Sequence, residues 1–181
     1  CTFDGRPWRG RVDLIAGGPP CQQFSAAGNG LGEYDPRDCV PGFIRAVKIV
    51  QPRWFLMENV RGLTFKKHAD YLARVLADLT ACGYVVEHRV LSTEEYGVPQ
   101  TRQRLIILGR RDSIAPAWPK PTHRKYKPRE PQNGGDPNLL PWVSMAEALG
   151  WGMTKRPSVS VVAGSNRQGG SAPLDGGSGA R

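Results

Sequence analysis

Two short apolar runs constrain this chain most. Val12–Ala16 and Trp54–Met57 are each only four or five residues long, and each is followed, after a break, by a stretch with helical spacing. Runs this short, bounded by turn residues, read as buried strands rather than helices. The first ends at Gly17-Gly18-Pro19-Pro20 and the second at Glu58-Asn59-Val60. Two prolines fix φ just before Cys21, and two glycines relieve Cβ crowding ahead of them. The chain thus sets a thiol at the mouth of a sheet. It then continues as a loose polar stretch with Gly28, Gly30 and Gly32 in alternation.

The intervening segments carry helical signals. Val40, Phe43, Ile44, Val47 and Val50 recur at helical spacing, with Asp38 placed to cap and Pro41 in the first turn. Tyr71, Leu72, Val75, Leu76 and Leu79 mark a second helix over about 67–82, with Gly83 as its stop. Residues 84–91 and 104–109 read as two further strands. Between them, Ser92 and Glu95 have capping-box spacing. Strands alternating with helices call for an α/β fold, a Rossmann-like and mostly parallel sheet covered on both faces. The short connection between the last two strands makes them a reversed hairpin at the edge.

Past residue 111 the texture changes. Residues 112–181 hold 10 Gly and 9 Pro. Ordered pieces are expected only at 144–149, as a helical turn or two, and at 159–163, as a strand, with loops or disorder elsewhere.

The whole chain has 181 residues and a net charge of +9, spread as +5 over 1–111 and +4 over 112–181. That excess suits a polyanionic partner such as nucleic acid. The four cysteines form no C-x-x-C pair and the three histidines are scattered. Neither a metal site nor a disulfide framework is expected, and a reduced, cytoplasmic setting fits best. No apolar run approaches a membrane span. Without a Met at its start, the chain reads as beginning inside a larger frame.

Cys21 and Glu58 both stand at the carboxyl ends of neighbouring strands, the edge at which open α/β sheets bind ligands. Gln100-Thr101-Arg102-Gln103-Arg104 leads into the last strand, where Arg102 and Arg104 would share a face. Taken singly, a cysteine, a glutamate and an arginine pair are ordinary core or surface residues. Together they place a thiol, a carboxyl and guanidinium groups at one edge.

These three segments resemble motifs of the DNA (cytosine-5)-methyltransferases. Gly18-Pro19-Pro20-Cys21-Gln22-Gln23-Phe24-Ser25 resembles the nucleophile motif, Glu58-Asn59-Val60 the acid motif, and Gln100-Thr101-Arg102-Gln103-Arg104 the Gln-x-Arg-x-Arg motif. Asp35-x-Arg37 also fits, and order and intervals agree over about 12–111. The resemblance implies a partial Rossmann-like methyltransferase fold and C5 methylation of a flipped cytosine from S-adenosylmethionine. Cys21 would be the nucleophile that adds to C6. Glu58 would hold the base edge, with Arg102 and Arg104 lining the base pocket. Pro20 and Val40 would lie at the cofactor, and Gln22, Ser25 and Gln100 at the DNA.

It also implies a partial catalytic domain over 1–111 and a partial, loop-rich target-recognition region over 112–181. The expected partners are double-stranded DNA and a separate chain supplying the rest of the cofactor site, in a restriction–modification or phage-type setting. Nothing before Val12 matches the family's first, cofactor-holding motif, so the chain alone is expected to bind S-adenosylmethionine poorly or not at all. An RNA cytosine methyltransferase, a non-catalytic DNA-binding remnant and a thiol redox protein are the competing readings. The missing C-x-x-C partner counts against the last.

Overall fold

The computed structural model describes residues 4–20, 38–132, 134–150 and 156–159. The chain divides into two compact units, residues 1–91 with 103–119 and residues 92–102 with 120–181.

The first unit carries the sheet. Strand β1 (Leu14–Gly17) is followed by helix α1 (Val40–Val50), β2 (Trp54–Val60), helix α2 (Ala69–Ala81) and β3 (Val85–Ser92). A two-residue strand, β4 (Gln100–Thr101), precedes β5 (Gln103–Arg110). The order across the sheet is β1-β2-β5-β3. β1 runs parallel to β2, with Gly17 opposite Met57. β5 runs antiparallel to β2 over seven residues, from Trp54 opposite Arg110 to Val60 opposite Arg104. The sheet is therefore mixed. The expected edge hairpin is placed so that its reversed strand, β5, lies inside and β3 lies outermost.

The helices do not divide between the two faces. Val40 and Val47 of α1 and Leu72, Val75 and Leu79 of α2 share one buried cluster with Phe55, Met57, Leu105 and Ile107 of the strands. Successive β–α–β connections advance in one direction along the sheet. With the single handedness of such crossovers, both helices fall on the same face. The alternation within β2 and β5 selects which side chains meet them.

Local chemistry sets the ends of the elements. Pro41 occupies the first turn of α1, as its sequence position suggests. Asp38 contributes by accepting the Val40 N–H at 3.0 Å, although Cys39 is the N-cap residue. Gly83, with φ of 90°, turns the chain out of α2. Next to it, Tyr84 is buried and donates its hydroxyl to the Pro52 carbonyl at 2.6 Å. The chain that follows β5 contacts side chains of the outer strand β3. Trp118 donates its indole N–H to Glu87 at 2.6 Å and lies beneath the Arg89 guanidinium.

The described part of the second unit carries more regular structure than its composition suggests. β4 pairs in parallel with β6 (Ser158–Val159). The rest of the strand expected at 159–163 lies outside the described residues. Helix α3 (Met145–Leu149) carries a complete capping box between Ser144 and Glu147. Ser92 and Glu95 share that spacing, yet Ser92 makes no such cap on the 3₁₀ turn Thr93–Tyr96. The Arg124 guanidinium gathers the carbonyls of Gln132, Gly134, Asp136 and Leu139. Tyr126 meets Trp142 edge-on at 5.4 Å. Side chain-to-backbone bonds of this kind order a loop without leaving any hydrophobic periodicity in the sequence.

Glu94 in this unit is only 3 % exposed, and its Oε2 has no hydrogen-bond partner among the described residues. Burial pushes its pKa up, and its own backbone N–H and Lys125 offset only part of that. Because the folded-state pKa lies above the unfolded one, the folded protein holds the proton more tightly. Stability is then lost as pH rises from the unfolded-state value through the folded-state one. Glu94→Gln is expected to raise the melting temperature at pH 7 by a few degrees, about 1 kcal/mol for relieving a buried charge. It should give no gain near pH 4. Thermal melts at both pH values check this, and an equal gain at both would rule it out.

Candidate functional site

The carboxyl ends of β1 and β2 bring together two segments that lie about forty residues apart in the sequence. Glu58 does not follow β2, as its position after the apolar run suggests. It sits within the strand, which continues to Val60 because β5 pairs along its full length. The Glu58 carboxylate forms an ion pair with Arg104, with Oε1 2.7 Å from Nε. The two side chains are 38 % and 26 % exposed, so the pair is open to solvent on one side. The second oxygen, Oε2, faces the backbone of Gly18, where a Cβ would stand only 3.1 Å away. Any side chain at position 18 would crowd this carboxylate. The glycine before the two prolines is thereby accounted for by close approach.

Asn59, to which the sequence alone assigns no separate role, ties the site together. It is 3 % exposed. Its Nδ2 donates to the Pro19 carbonyl at 3.3 Å, and its Oδ1 accepts the Val60 N–H at 2.8 Å. It thus anchors the segment that leads to Cys21 onto β2. A signal for this is present in the sequence. Phe55, Met57 and Asn59 fall at alternate positions, and a polar residue in a buried register must find partners. On the other side, the Cys39 N–H donates to the Pro20 carbonyl at 3.3 Å, fastening the same segment to the start of α1.

Cys21, Gln22 and Ser25 lie outside the described residues. Pro20 is exposed at the end of the anchored segment, and Val40 is fully buried in the core. Arg102 and Gln100 belong to the second unit, whereas Glu58 and Arg104 belong to the first. Arg102 lies on no strand, because β4 ends at Thr101 and β5 begins at Gln103. The period-two argument that put Arg102 and Arg104 on one face therefore does not apply. Thr93 holds this break open: its N–H donates to the Arg102 carbonyl at 2.9 Å, and its hydroxyl accepts the Arg102 N–H at 3.1 Å.

A cleft of about 330 Å³ opens beside this site, lined by Gly17, Gly18, Pro19, Cys39, Gly42, Phe43, Arg45 and Ala46. The close approach at Gly17, where a Cβ would meet the Phe43 ring at 3.2 Å, keeps its floor flat. The described walls are largely apolar, and Arg45 is the only charged side chain among the described lining residues. Such a cleft suits the uncharged flank of a ligand, and its described lining offers no carboxylate for an amino or ribose group. Of the described thiols, burial pushes that of Cys82 up, which disfavours its thiolate near neutral pH. Among the described residues no group of His, Cys, Asp and Glu could hold a metal ion, and no helix is long and apolar enough to cross a membrane.

The family model described as C-5 cytosine-specific DNA methylase matches residues 4–149. The chain is 39% identical over 145 residues to the type II methyltransferase M.SacI of Streptomyces achromogenes, covering 77% of this chain and 37% of that protein. It is 42% identical over 113 residues to M.NaeI of Lentzea aerocolonigenes, covering 61% of this chain and 27% of the relative. It is 40% identical over 116 residues to M.XorII of Xanthomonas oryzae pv. oryzae, covering 62% and 27%. The chain thus spans between about a quarter and two-fifths of the length of these relatives.

Proposed function

Since the chain belongs to the C-5 cytosine-specific DNA methylase family, we propose that it carries the base-binding and nucleophilic centre of a DNA (cytosine-5-)-methyltransferase acting on double-stranded DNA. The observation that carries this reading is the meeting of Glu58 and Arg104 beside Gly18, two residues short of the proline that precedes Cys21. Three separate motifs thereby contribute to one sheet edge a carboxylate, a guanidinium and the lead-in to a thiol.

The chemistry follows from that inventory. Cytosine C5 is a poor nucleophile until the ring loses its aromaticity. The Cys21 thiolate adds to C6, forming the C–S bond and shifting electron density to C5. Glu58 holds N3 and the exocyclic amine, stabilising the charge that develops across the ring. Arg104 holds the Glu58 carboxylate through their ion pair. Arg102 is assigned to the base, and Gln22, Ser25 and Gln100 to the DNA. C5 then takes up a methyl group, its proton leaves to base, and the C–S bond breaks to return the Cys21 thiolate. The base must leave the duplex stack for any of this to occur.

S-adenosylmethionine, whose sulfonium supplies an electrophilic methyl group when bound, would lay an uncharged part of its surface against the apolar cleft at Gly17, Gly18, Pro19 and Phe43. Pro20 and Val40 adjoin residues of its lining. Pro20 would border the cofactor, and Val40, fully buried, would support that wall from the core.

Duplex DNA containing 5-fluorocytosine tests the reading, because fluorine at C5 prevents the final proton loss and freezes the adduct. With S-adenosylmethionine present, the chain is assayed alone and joined behind the N-terminal part of a relative such as M.SacI. A denaturation-resistant protein–DNA adduct is expected, and it should vanish in Cys21→Ser. Adduct formation that persists in Cys21→Ser would overturn the assignment.

A further inference from the structure

Directly after Val60 the chain makes two consecutive 3₁₀ turns, Arg61–Thr64 and Lys66–His68. Leu63 is fully buried and pins the segment to the core. Thr64 closes the first turn by donating its hydroxyl to the Arg61 carbonyl at 2.9 Å, and the Phe65 and His68 N–H groups donate to the Gly62 and Phe65 carbonyls at 3.1 and 2.8 Å. The backbone is thus held rigidly while Arg61, Phe65, Lys66 and Lys67 are exposed.

The charge of this strip is of one sign. No aspartate or glutamate occurs from 59 to 69. Burial and the neighbouring Lys67 pull the His68 pKa down, so its ring adds no charge near pH 7. Arg61 donates to Gln103 Oε1 at 2.6 Å, and its guanidinium sits 5.7 Å from the centre of the Phe65 ring. A guanidinium carries five N–H donors in a planar fork, so these contacts orient it while leaving donors directed outward. Phe65 is 46 % exposed, an aromatic face retained outside the core. All of this begins three residues beyond Glu58, at the strand end paired with Arg104.

We propose that Arg61, Lys66 and Lys67 form a phosphate-binding strip that docks the backbone of duplex DNA beside the target base. The proposal rests on the methyltransferase reading and adds a contact surface outside the three motifs. Its energy is electrostatic and indifferent to base sequence. Its geometric role is to set how deeply a duplex approaches the Glu58–Arg104 edge. Rigid presentation lowers the ordering cost that a mobile lysine tail would incur on binding.

The test is the salt dependence of binding by the whole chain to a short fluorescent DNA duplex, followed by anisotropy. The variant Arg61→Gln/Lys66→Gln/Lys67→Gln is compared with Arg11→Gln/Lys48→Gln/Arg53→Gln. The latter makes the same charge change at the opposite end of the strands, where Gly10 meets the end of α1 and Arg53 precedes β2. Removing one cation that neutralises a phosphate should reduce the magnitude of the log K against log salt slope by about 0.9 and weaken binding roughly eightfold at 0.1 M salt. The strip variant is expected to show between two and three such increments, and the control less than one. All six side chains are exposed, so unchanged thermal melts should accompany both; the single variant Arg61→Gln serves should the triple one melt early. An equal effect in both variants shows diffuse charge and overturns the strip, as does no change in the strip variant. Strip-dependent preference for a hairpin RNA over the duplex also overturns it. Failure of the unaltered chain to bind any duplex at low salt would instead remove the DNA reading itself.

Discussion

Gly109→Ala is expected to cost about 3 kcal/mol and to lower the melting temperature by roughly 10 °C. Gly109 stands opposite Phe55 in the β2–β5 ladder. A Cβ at this position would fall 1.9 Å from Phe55 Cε1, 2.3 Å from Cζ and 2.6 Å from Cδ1. The ring has no room to move aside. It is fully buried, with Phe43 edge-on at 6.3 Å and Tyr84 at 5.1 Å. One added methyl group must therefore either displace the ring from the core or break the ladder. Domains of this kind are stable by only about 5–15 kcal/mol, so the loss is a large share. A double mutant with Phe55→Leu should recover part of it, since the smaller side chain vacates the contested volume. A shift of under about 2 °C in Gly109→Ala alone would refute the packing argument.

Glu58→Gln is expected to reduce methyl transfer to cytosine in duplex DNA by about 10²–10⁴-fold, the range typical of a lost acid–base group. The substitution keeps the side-chain shape and removes the charge. Both members of the Glu58–Arg104 pair are partly exposed, so solvent screens the interaction and its loss should cost stability within about 1 kcal/mol. A large change in rate with a small change in melting temperature is the combination that separates a catalytic carboxylate from a structural one. The loss should fall on kcat, because the amide can still bond the base edge but cannot hold the proton. Transfer at the unaltered rate would remove Glu58 from the mechanism.

The elements themselves were legible because each leaves a local trace. The spacing of Val40, Phe43, Val47 and Val50 is a helix whatever packs on it, and Gly83 ends α2 through a backbone conformation that costs glycine little. The match among the glycine–proline–cysteine, Glu58-Asn59-Val60 and Gln100–Arg104 segments was also local. It agrees with the family to which the chain belongs. Arg102 shows where such reading stops. Its spacing from Arg104 suggests one strand and one face, but Thr93 bonds its backbone on both sides and interrupts the strand. Nothing in the alternation of residues 100–104 announces a partner seven or more residues away.

Sequence alone determined the main inventory: the segments around which α1, α2, β1, β2, β3 and β5 form, and the chemistry carried near their ends. Those properties depend on backbone propensity and on side-chain spacing within a few residues. Only the tertiary structure decided that β5 enters between β2 and β3 and that both helices lie on one face. It also decided that Asn59 holds Pro19, that Glu58 meets Arg104 against Gly18, and that Gly109 lies under Phe55. Each of these is a meeting of segments distant along the chain. Such meetings follow from strand register and close packing, where one residue's allowed volume is set by atoms that local sequence does not specify.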